Sequence, residues 1–116
     1  MQRLTTATGS PFQYKTHPDG KIIVYPADSQ GKLQGKSALV ITPFIIRLVK
    51  QEIQKRGEVA VGASRDNPPP GSLGALIKSE KQSPQQLSYL IRILEQQGVC
   101  EVRLDGQKLI VKHKGL

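Results

Sequence analysis

Residues 83–98 constrain the chain more than any other stretch. Leu87, Leu90, Ile91 and Leu94 recur at the i, i+3, i+4, i+7 spacing of a helix that buries one side. Ser83 is placed to accept from the free N–H groups of a first turn, Pro84 suits the first helical position, and Gln86 completes an S-x-x-Q capping box. Gly98 supplies the left-handed residue that ends such a helix. The pattern predicts a helix over 83–97 with Gln85, Gln86, Ser88, Tyr89 and Arg92 on its outer side.

Residues 99–104 then alternate apolar and polar side chains, as a half-buried strand does. Asp105-Gly106 is a strong two-residue hairpin turn, and 107–113 reads as the return strand. With that turn Leu104 faces Gln107, Arg103 faces Lys108, and Val102 faces Leu109. The register gathers Cys100, Val102, Leu104, Leu109 and Val111 on a core side. It leaves Arg103, Lys108 and Lys112 as a basic ribbon on the other.

Upstream, residues 1–10 read as a polar tail. Residues 12–16 and 21–25 flank His17-Pro18-Asp19-Gly20, a turn with a preset φ at proline and a tolerated positive one at glycine. A hairpin results, and a lone two-stranded hairpin needs a surface to pack on, its own domain or a second subunit. Residues 27–36 read as a loop whose Gly31, Gly35 and Lys36 miss the phosphate-loop spacing by one residue. Residues 38–41 lead into Thr42-Pro43, a cap and a first-turn proline, and a helix over 43–56 with Ile45, Leu48, Val49 and Ile53 inward. Arg47, Lys50, Lys55 and Arg56 fall on its exposed positions. A short strand over 58–63, a stiff proline loop over 65–71 and a helix over 73–80 capped by Ser72 follow. Gly74 weakens that helix by about 1 kcal/mol relative to alanine, which points to close packing against a neighbour.

From 43 to 113 the order of helix, short strand, helix, turn, helix and hairpin resembles the winged helix-turn-helix domain of prokaryotic repressors. The phrases that carry the resemblance are the 83–99 helix, with its serine start and Leu94-Glu95-Gln96-Gln97-Gly98 finish, and the hairpin on Asp105-Gly106. It implies an α+β fold, with three helices and a C-terminal wing over 42–116 and an N-terminal tail, hairpin and loop over 1–41. It also implies double-stranded DNA as the partner, with the 83–97 helix in the major groove and the hairpin on the backbone. The residues so assigned are Lys81, Ser83, Gln85, Gln86, Ser88, Tyr89, Arg92, Arg103, Lys108 and Lys112. A homodimer joined through the N-terminal hairpin and the 43–56 helix would match a two-fold DNA site. The family also includes modules that bind protein or RNA instead, so an acidic protein is the second partner class.

Charge agrees with either partner. Seventeen Lys+Arg against nine Asp+Glu leave a formal +8 over 116 residues. A single cysteine, Cys100, excludes an intramolecular disulfide and reads as a buried structural thiol in a reducing compartment. No apolar run reaches membrane-spanning length, and no secretory signal opens the chain, so a cytoplasmic protein is expected. His17 reads as a turn residue and His113 as a strand-end residue. No zinc spacing or nucleophile-base set emerges, so neither a cofactor nor an enzyme is expected.

Overall fold

The computed structural model describes residues 2–7, 9–27, 38–63, 67–106 and 108–114. The loop expected over 27–36 therefore lies outside the described residues apart from Ala27, as does the start of the proline loop. The fold is α+β, with three α-helices and two antiparallel sheets among the described residues.

The first sheet is a four-stranded meander: β1 (Gln2–Thr5), β2 (Pro11–Thr16), β3 (Ile22–Pro26) and β4 (Leu39–Ile41), neighbours in that order. The expected hairpin is its centre, with Thr16 opposite Ile22 and a turn closed by His17 N–H to the Lys21 carbonyl at 2.9 Å. The polar tail is not a tail. Residues 2–5 pair with β2, from Gln2 opposite Tyr14 to Thr5 opposite Pro11. Thr6 turns the chain, its N–H donating to the Ser10 carbonyl while its hydroxyl accepts from the Ser10 N–H. Composition hid this strand because its anchor is the apolar β2 beside it.

α1 (Pro43–Arg56) starts on Thr42, whose hydroxyl accepts from the Ile45 N–H at 3.3 Å, and buries Ile45, Val49 and Ile53. β5 (Glu58–Ala60) is shorter than the sequence implies, though the Val61 N–H still reaches the Leu109 carbonyl at 2.9 Å. α2 (Leu73–Ser79) is capped by Ser72, which accepts from the Ala75 N–H and donates to the Pro69 carbonyl. The end of the proline loop is held on its other side by Arg56, which donates to the Gly71 carbonyl.

α2 closes with Lys81 at a left-handed φ of 62. The Gln82 N–H reaches back to the Ile77 carbonyl and the Lys81 N–H to Lys78, the pair of bonds usually built on glycine. The 83–97 stretch is two pieces, a 3₁₀ turn over Pro84–Gln86 and α3 (Leu87–Gln96). Ser83 caps it through the Gln85 N–H, but the capping box does not form: the Gln86 amide donates to the Ser83 carbonyl at 3.0 Å. Gly98, at φ 81, ends α3 as expected, with Val99 N–H bonded to the Leu94 carbonyl.

β6 (Cys100–Asp105) and β7 (Lys108–His113) form the C-terminal hairpin, and β5 adds to β7, giving the order β5-β7-β6. The turn falls one residue later than expected, closing with Asp105 opposite Lys108 and Gly106 at φ 67. Arg103 faces Ile110 and Glu101 faces Lys112. Charge accounts for the choice, since the expected register sets Arg103 against Lys108 and the observed one sets unlike charges opposite each other. The shift is two residues, so the sides keep their parity. Leu104, however, lies beyond the core, 62% exposed.

One buried cluster runs through both halves. Phe12, Tyr14, Ile22, Val24 and Ile41 of the first sheet belong to it together with the helices, Cys100 and Val111. The expected 1–41 extension thus shares the core of 42–116.

Gly74 explains itself at its contact. A Cβ there would stand 1.7 Å from the Gly62 carbonyl oxygen, and the Gly74 N–H bonds the Val61 carbonyl at 2.8 Å. Gly74→Ala gains about 1 kcal/mol of helix propensity, yet we expect a net loss of about 1–3 kcal/mol from overpacking. Urea unfolding measures it, and a more stable variant would contradict the contact.

Candidate interaction surface

α3 buries Leu87, Leu90, Ile91 and Leu94, as the spacing demands, but also Ile93. Ile93 lies about 200° round the helix from Ile91. A helix apolar on both sides is enclosed on both sides. The second enclosure is the first sheet. Phe12 meets the Tyr89 ring edge-on at 5.1 Å and 79°, the Tyr14 hydroxyl donates to the Gln96 side-chain oxygen, and Arg92 Nε donates to the Thr5 carbonyl at 3.0 Å.

Part of the expected outer side of α3, at Gln86, Tyr89 and Arg92, is therefore engaged by its own chain. Gln86 is buried and committed to Ser83. Tyr89 is half-buried against Phe12. Arg92 is half-buried and pairs with Glu95 at 2.6 Å, while the other Glu95 oxygen accepts from the Val102 N–H at 2.8 Å. Fully burying a large apolar side chain is worth about 1.5–3 kcal/mol. Lifting the sheet would expose Phe12, Ile22, Val24 and Ile41 at once. The cost is on the order of a small domain's whole stability.

What stays open is the helix's N-terminal end. Ser83, Gln85, Gln86, Ser88 and Tyr89 line a groove of about 470 Å³ with Leu39, Val40, Ala63 and Gln82, and no charged side chain contributes to its wall. Lys81 is exposed on the preceding turn. Arg92 and Arg103 meet elsewhere, in a groove of about 280 Å³ between the β1–β2 loop and the hairpin.

The observed register sets the basic ribbon against acids. Arg103 pairs with Glu58 at 2.5 Å, Lys108 stands opposite Asp105 in the register, and Lys112 opposite Glu101 and Glu58. α1 carries exposed cations with no acid set against them among the described residues. Arg47, Lys50 and Lys55 are exposed with no ion-pair partner among the described residues, whereas Arg56 is engaged by Glu52 and the Gly71 carbonyl. The signal was in the sequence as a polar i, i+3, i+4, i+7 series at 47, 50, 51 and 54, mirroring the apolar one.

Cys100 is fully buried, and burial, with the Glu95 carboxylate adding to it, pushes its thiol up to about 11. His17 contacts Asp19 at 3.4 Å in the β2–β3 turn. Among the described residues no group of three His, Cys, Asp or Glu is placed to hold a metal, and no helix is long and apolar enough to cross a membrane. Comparison with protein-family models, curated proteins and solved structures gave no match.

Two outcomes check this arrangement. Phe12→Ala removes the contact that seats the sheet on α3 and is expected to cost about 3–5 kcal/mol in a single urea transition. Two separate transitions would mean the sheet is an independent unit. For Cys100, a pKa raised from 9.0 to about 11 means about 100-fold less thiolate at pH 8 than an ordinary thiol, so a thiol reagent reacts quickly only in denaturant. The folded form holds the proton more tightly, so its contribution is full below pH 9 and declines as pH rises toward 11. Cys100→Ala removes that slope from the difference between the two stability curves.

Proposed function

We propose that residues 43–113 form a winged helix-turn-helix unit and that the chain binds duplex DNA through surface charge, without seating α3 in the major groove. The architecture is supported by the order α1, β5, α2, α3, β6, β7, and by β5 joining the hairpin through β7. Partner class rests on one observation. The formal charge is +8, and Arg47, Lys50, Lys55 and Lys81 stand exposed with no carboxylate partner among the described residues. Phosphate attraction needs such uncommitted cations, because a cation already paired gives up a carboxylate to make the new contact. Lys81 adds to this. It is exposed, in a left-handed turn where glycine costs about 1 kcal/mol less.

A second reading is favoured by a different observation, the uncharged 470 Å³ groove between β4 and the start of α3. β4 is the outer strand of its sheet, and an outer strand beside a groove suits an extended polypeptide. That protein-binding reading is the alternative.

Labelled duplexes of random sequence, titrated from 20 to 200 mM salt, separate the two. Binding whose log K falls against log salt with a slope of about −3 to −4, for three to four phosphate contacts, supports the first. Absence of salt-sensitive binding at low ionic strength overturns it. A protein partner retained after nuclease treatment and lost in Ser88→Arg supports the second.

A further inference from the structure

We infer that the outward side of α1, rather than α3, is the surface that faces the DNA major groove, with Arg47, Lys50, Gln51 and Gln54 as its contact residues. This inference rests on the DNA-binding reading above. The four recur at i, i+3, i+4 and i+7, so they form one stripe, and all four are exposed. They frame a shallow groove of about 330 Å³ completed by Gly20, Pro43 and Ile46, with no carboxylate in its lining.

A helix side that is merely solvated mixes charges of both signs along its i, i+4 rows. This one carries a single sign. The only acid of α1, Glu52, lies about 140° round from Arg47 and is turned to Arg56 at 3.9 Å. Chemistry points the same way: arginine pairs with the guanine edge, glutamine with the adenine edge, and lysine with phosphate or guanine.

Size and support fit as well. At a rise of 1.5 Å per residue the stripe spans about 10 Å, against a major groove about 12 Å wide. Behind it Ile45, Val49 and Ile53 are fully buried, so the stripe stands on a fixed backbone. Beside it on the same helix Phe44 is 51% exposed, an apolar side chain of the kind that meets a thymine methyl group. Apart from Gly20 of the β2–β3 turn, which lies near Pro43, the groove over these polar residues is lined by α1 alone among the described residues.

The full chain and four variants test it on a mixed-sequence duplex. Arg47→Gln and Lys50→Gln should each weaken binding about ten-fold and flatten the salt slope by about one. Gln51→Ala paired with Gln54→Ala should leave the slope in place and narrow the spread of affinities across sequences. Lys15→Gln removes the same charge from the first sheet and should change affinity less than two-fold, with all melting curves near wild type. If the wild type binds and the α1 variants behave like Lys15→Gln, the α1 assignment is overturned while DNA binding stands. If the wild type binds no duplex at 20 mM salt, both fall. Tighter binding of single strands than of duplex also overturns the assignment.

Discussion

The arrangement depends on α3 being enclosed from two directions. Leu87, Leu90, Ile91 and Leu94 face one buried side, while Ile93 and Tyr89 face the sheet that brings Phe12 and Tyr14. A small chain with two phenylalanines and no tryptophan has few large side chains with which to fill a core. Using one helix as the shared wall between two sheets removes more apolar area from water per residue than packing each layer separately. The polar groups at that wall are matched: Tyr14 to Gln96, Arg92 to Thr5 and Glu95, Glu95 to the Val102 backbone. Among the described residues no buried side-chain nitrogen or oxygen is left without a partner.

Local signals in the sequence carried the helices and both hairpins. Ser72, Thr42 and Gly98 do what their positions announce, and the apolar stripes of α1 and α3 are those the spacing names. The failures share a cause. Ile93 and Tyr89 fall outside the stripe that the spacing names, and Tyr89 by its local position reads as solvent-facing. What makes them interior is a strand some eighty positions away, and no short-range pattern encodes that partner. The hairpin register failed for a nearer reason. The turn dipeptide was weighed without the charges it would set opposite each other, and Asp105 with Lys108 proved the better closing pair.

The same comparison relocates the functional question. α3 is packed from two directions, and α1 carries Arg47, Lys50 and Lys55 exposed with no ion-pair partner among the described residues. Charge that is already paired across strands, as Arg103 is with Glu58, contributes to sheet register and adds little to long-range attraction. Charge on α1 is free to act at a distance. The side chains that hold the fold together and the exposed cations of α1 are thus different sets.

The bonds from Tyr14 to Gln96 and from Arg92 to Thr5 span 82 and 87 positions of chain. Synthesis runs from the N-terminus, so all four strands of the first sheet leave the ribosome well before the helix that covers them. Until then the meander lacks the helix that covers Phe12 on one side. Closure waits on α3, and the loop entropy for such distant partners is lost in one late step. The nascent chain therefore passes through an interval in which the first sheet is open to association with other copies.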